Sequence, residues 1–150
     1  MSIAIVLHLW AAVIWVGGMF FAYMILRPAA GALEPPLRMP LWARSFGRFF
    51  PWVWTAVVVL PVTGYWMIFQ MGGFAAVPID IHLMQGLGIV MIMIYLHVFF
   101  APYRRFVQAV HSSDWEAAAK NLAQIRVLVG LNLVLGLLTV AIASAGRYVV

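Results

Sequence analysis

The chain has no cysteine, and only four of its 150 residues are acidic. Without thiols there can be no disulfide, no thiolate metal ligand and no cysteine-held iron–sulfur cluster. Charged residues make up only 9% of the chain, against 66% hydrophobic ones. Too little charge is available to solvate the surface of a soluble domain. A mean hydropathy of +1.04 instead describes an integral membrane protein, in which lipid replaces water around most of the surface. Seven Trp and five Tyr suit belts at the membrane–water interfaces.

Four apolar runs are long enough to cross a bilayer, which takes ~20 residues at ~1.5 Å each. They cover about residues 3–26, 51–71, 79–102 and 126–145. The expected fold is all-α, a single four-helix up-down bundle spanning 1–150. No Lys or Arg precedes the first run, and it outlasts a signal-peptide core, so it reads as a retained anchor. Between the first two runs, Pro28, Pro35, Pro36 and Pro40 forbid a continuous helix before Leu41. From Leu41 to Phe50, arginines interleave with Trp42, Phe46, Phe49 and Phe50, the pattern of a short amphipathic helix lying in the headgroup layer. Pro61 predicts a kink in the second span. Ser113 and Glu116 form a capping box that starts the fourth helix near residue 113, two to three turns before it enters the membrane.

Eight of the nine Lys and Arg lie in or beside the loops joining spans one to two and three to four. The positive-inside bias makes those loops cytoplasmic and puts both termini and the Gly72–Asp80 turn on the opposite, periplasmic side. The formal charge of +5 is thereby assigned to the lipid surface rather than to nucleic acid.

Ionisable groups are costly inside a membrane, so the histidines on spans are functional candidates. His8 and His82 each lie a few residues inside parallel spans and share a depth, whereas His97 lies ~22 Å deeper than His82 at ~1.5 Å per residue. Two imidazoles converging from spans one and three suit the two axial positions of a b-type haem, which carries electrons and leaves no open coordination site. Ala11 and Ala12 beside His8, and Gly86 beside His82, leave room for a porphyrin. Gly64 and Gly136 are the small residues expected on the other two spans, and Arg147 with Tyr148 are candidates to pair with the propionates. This reading makes the chain a membrane oxidoreductase or electron carrier with one haem b. Its partners would be the bilayer and a quinone or another redox carrier, with homo-oligomer formation left open.

His8 followed by Trp15, Gly17 and Gly18, the Arg27–Pro28 exit, Thr63–Gly64–Tyr65, the stretch from Tyr95 to Arg105 and Asn132 to Gly136 resemble the bacterial CopD-like integral membrane proteins. These are related to the copper-resistance CopD domain and, more distantly, to HemJ-type protoporphyrinogen oxidases. The resemblance implies a four-helix membrane fold and haem binding, and for the HemJ-type enzymes the removal of hydrogen from protoporphyrinogen. His8 matches their first-span histidine and His97 the histidine that follows a third-span tyrosine. Their third-span lysine is replaced here by neutral residues around Gln85 and Gly86, and their Asn–Glu by Asn132–Leu133.

The CopD name also implies copper handling. Met67, Met71 and Met84 lie near the same end as His8 and His82, and thioether with imidazole suits Cu(I). For His97 the plainer expectation is a hydrogen bond to a carbonyl or to Tyr23, and the sharper one is a quinone or proton site. Asn132 is expected to bridge helices.

Overall fold

The computed structural model describes residues 1–146 and Tyr148, and every regular element among them is helical. Four helical rods are long and apolar enough to cross a membrane, Ser2–Ala30, Pro35–Gln70, Ile79–His111 and Trp115–Ala145. Their outward faces carry Ile3, Val13, Phe69, Met93 and Val127, all exposed, as contact with lipid requires.

The first rod comprises α1 (Ser2–Phe20), a π-helical turn (Phe21–Leu26) and α2 (Arg27–Ala30). The Arg27 N–H bonds back five residues to the Ala22 carbonyl, and Pro28 follows with no N–H to donate.

The second rod, α3 (Pro35–Gln70), corrects the sequence reading. It is a single helix of 36 residues, about 54 Å at ~1.5 Å per residue, and it begins at Pro35 rather than Leu41. Glu34 is its extended N-cap. Pro35 and Pro36 occupy the first turn, where a helix has no partner for an N–H in any case. Pro40, Pro51 and Pro61 are carried inside the helix, each at the loss of one backbone bond. The amphipathic segment from Leu41 to Phe50 is therefore continuous with the second span and projects from it at the arginine-rich end.

After a turn with positive φ at Gly72 and Gly73, α4 (Ile79–Phe100) returns the chain to the basic end. It breaks at Ala101, and Pro102 opens α5 (Pro102–His111). The link to α6 (Trp115–Ala145) is a second correction. Ser113 adopts φ 54°, and the Ser113 and Asp114 N–H groups bond the carbonyls of Val110 and Ala109. That pair of bonds is a Schellman closure of α5 with Ser113 as its left-handed residue. Ser113 is thus spent on ending one helix, and Asp114 starts the next: its carboxylate accepts from the Ala117 N–H at 3.2 Å.

The bundle is assembled as two antiparallel pairs, α1 on α3 and α4 on α6, joined mainly along α1 and α6. Between α3 and α4 the basic end is filled by rings. Phe50 meets Tyr103 at 4.6 Å and Tyr95 at 5.6 Å between centroids, and Trp54 meets Tyr95 at 5.3 Å. The Tyr95 hydroxyl donates to the Phe50 carbonyl at 3.3 Å. On α1, Gly18 is filled by the Phe49 ring, whereas Gly17 faces open space. Only the second glycine serves close helix packing.

Candidate functional site

His8 is half-buried where α1 crosses α3. Its Nδ1 lies 2.8 Å from the Thr63 hydroxyl, and that hydroxyl lies 2.6 Å from the Val59 carbonyl one turn back. A threonine hydroxyl has one proton, and the carbonyl can only accept. Thr63 therefore donates to Val59 and accepts from His8 Nδ1–H. The proton on Nδ1 leaves the lone pair on Nε2, the nitrogen through which this tautomer could ligate a metal. Gly64 lies against the ring: a Cβ there would sit 3.4 Å from His8 Cε1, in van der Waals contact.

The other candidates are distributed differently. His82 is half-buried in the first turn of α4. It precedes the buried Met91 by nine residues, two and a half turns at ~3.6 residues each, so the two lie on opposite faces of α4. Met91 and the α1 residue Val16 both close on Gly136. His82 accordingly belongs to the α4 face turned away from that junction, and α1 and α4 are not a closely packed pair. Gly86 is exposed with open space around it, and Gly136 is filled by neighbouring side chains rather than left open. Ala12 is half-buried one turn below His8. Arg147 lies outside the described residues. The structure thus brings His8 together with Thr63 and Gly64.

His97 is exposed near the basic end of α4. Tyr23, its expected partner, packs instead against Gly130 of α6 and under the Arg27 guanidinium. Asn132 does bridge helices, its amide donating to the Met91 carbonyl at 3.2 Å. Gln85 adds a second bridge, donating to the Tyr65 hydroxyl at 3.1 Å. No group of three or more His, Asp or Glu poised to hold a metal occurs among the described residues. Thioethers are the remaining soft donors. Met67 follows Thr63 by one turn on the same face of α3, and Met84 precedes Met91 by two turns on the inward face of α4.

Sequence reasoning missed the role of Thr63. Its neighbour Gly64 was a signal for close approach, but which helix approaches is fixed by packing rather than by any local pattern.

Four apolar helices packed as two antiparallel pairs, with polar side chains used singly to bridge them, define a multi-pass membrane protein. The sequence model of the Copper resistance protein D family, CopD, matches residues 43–145, well over half of the chain, and the protein belongs to that family. The match takes in α4, with His82, and α6, with Asn132; α1 with His8 precedes it. No curated protein and no solved structure matches the chain.

Proposed function

We propose that this protein handles copper, admitting Cu(I) as cargo at the end of the bundle that carries His8. Membership of the Copper resistance protein D family carries this reading. The geometry supplies a chemical basis, because the Thr63 bond at 2.8 Å orients His8 with Nε2 free. Thioether sulfur is a soft donor suited to Cu(I) and imidazole nitrogen also suits copper, and Met67 and Met84 are the candidate sulfurs by helical register. With the basic loops cytoplasmic by the positive-inside bias, the His8 end faces the periplasm of a bacterial inner membrane, where copper enters.

The test is copper flux into liposomes that hold a Cu(I) chelator dye. Vesicles carrying the protein are expected to fill faster than empty ones, and His8→Ala to remove most of the difference. Equal filling of protein-bearing and empty vesicles would overturn the reading.

A b-type haem with electron transfer is the second reading. The free Nε2 of His8 above Gly64 favours it. It ranks second because the family to which the chain belongs is named for copper. Protoporphyrinogen oxidation ranks below both, since the lysine and the acid of those enzymes are replaced by neutral residues.

A further inference from the structure

At the basic end, the π-helical turn and α2, α3 and α6 enclose a cleft of about 380 Å³, within the ~300–1,000 Å³ range of ligand pockets. Three guanidinium groups, Arg27, Arg38 and Arg126, line it, and no carboxylate does. Three like charges lining one cleft without an acid repel one another unless an anion neutralises them. From these facts we infer that the chain binds a phosphate-bearing anion in this cleft, namely the headgroup of an anionic phospholipid.

The cleft is built rather than incidental. Tyr23 is set into α6 at Gly130, where any Cβ would strike its ring. The Arg27 guanidinium lies 4.9 Å over that ring, which fixes its position while leaving its N–H groups free. Arg126 is one turn before Gly130 on the same face of α6. Arg38 donates through Nη1 to the Leu33 carbonyl at 3.3 Å, holding the guanidinium at the mouth with donors to spare. The π-helical turn from Phe21 to Leu26 carries Tyr23 and ends just before Arg27. Such insertions in α-helices are frequent at binding sites.

Depth and lining select a lipid over a free ion. Arg27 and Arg126 each stand at the edge of an apolar run, Tyr23–Leu26 and Val127 onward, which is the level of the phospholipid phosphates. Below the arginines the walls are Met39, Trp42, Phe46 and Val129, surfaces for glycerol and acyl carbons. Arginine clusters between membrane helices at such a level bind anionic headgroups.

The experiment is native mass spectrometry of the full chain in detergent, titrated separately with phosphatidylglycerol, phosphatidylcholine and inorganic phosphate. The fraction bound would be compared across wild type, Arg27→Gln/Arg126→Gln, Arg27→Lys/Arg126→Lys and Arg44→Gln/Arg48→Gln. Phosphatidylglycerol is expected to bind in preference to phosphatidylcholine. Its affinity should fall about fivefold for each arginine neutralised in the cleft. The lysine pair should retain most of the binding. Arg44 and Arg48, exposed on α3 and outside the cleft, should not matter. Equal binding of the two lipids, or equal loss from the two glutamine pairs, would overturn the inference. Phosphate that displaces phosphatidylglycerol with no loss of total occupancy would overturn the assignment to lipid.

Discussion

Thr63→Val offers the sharpest perturbation of the candidate site. The two side chains are nearly the same shape, and Thr63 is buried at 7% exposure, so the change leaves packing intact and removes one hydroxyl. Its contacts with His8 and with the Val59 and Leu60 carbonyls go with it. The bond to the Val59 carbonyl, 2.6 Å, is a back-bond within α3 and costs little. The bond to His8 Nδ1, 2.8 Å, fixes both ring orientation and tautomer. Losing a bond to a partly buried donor lowers stability by about 1–3 kcal/mol. Partners that orient a metal ligand are worth about 10–100-fold in metal affinity. The assay is Cu(I) competition against a chromophoric chelator under reducing conditions, beside thermal unfolding in the same detergent. Thr63→Val should weaken Cu(I) binding by about 10–100-fold, Thr63→Ser should restore it, and His8→Ala should abolish it. If Thr63→Val bound copper as wild type does while His8→Ala did not, the hydrogen bond would have no part in orienting the ligand.

Other consequences follow from the packing. Gly18→Ala drives a methyl into the Phe49 ring and should cost about 1–3 kcal/mol in detergent unfolding, whereas Gly17→Ala meets open space and should be neutral or stabilising by up to about 1 kcal/mol. Asp114→Ala removes the cap of α6 and should lower stability by about 1 kcal/mol; Ser113→Gly, at φ 54°, should raise it, and thermal scans measure both. Asn132→Leu loses the bridge to Met91 but also an Oδ1 that has no partner among the described residues. Its net effect on unfolding should stay within about 1 kcal/mol. Because the chain has no cysteine, single cysteines at Ser112 and Ala75 can be labelled unambiguously in intact cells. An impermeant maleimide should reach position 75 and not position 112, and the reverse pattern would invert the proposed orientation.

The sequence revealed the four spans because an apolar run of bilayer length is a signal in itself. It misplaced the start of α3 because prolines were read as breakers at 35, 36 and 40, although the first two sit where a helix has no amide to lose. It assigned the cap to Ser113 because Ser–x–x–Glu is a genuine capping pattern, one that the Schellman closure of α5 pre-empted. The candidate site was half legible. A histidine inside a span is conspicuous, and His8 does sit in a polar, oriented setting. The direction of His82 was not legible, because α4 is apolar on every side. Lipid demands the same residues outside that packing demands inside, and the periodicity that locates the buried face of a soluble helix is erased. Depth can be counted from sequence; azimuth around such a helix cannot.

The central claim is that His8 serves copper rather than haem, and one preparation decides it. The protein is purified from cells supplied with both copper and haem, its bound metals are quantified, and its absorption spectrum is taken oxidised and after dithionite, beside His8→Ala. Copper that co-purifies with wild type, is lost with His8→Ala, and is accompanied by no haem bands is the predicted result. A six-coordinate low-spin b-type spectrum in a protein free of copper, abolished by either His8→Ala or His82→Ala, would contradict the account.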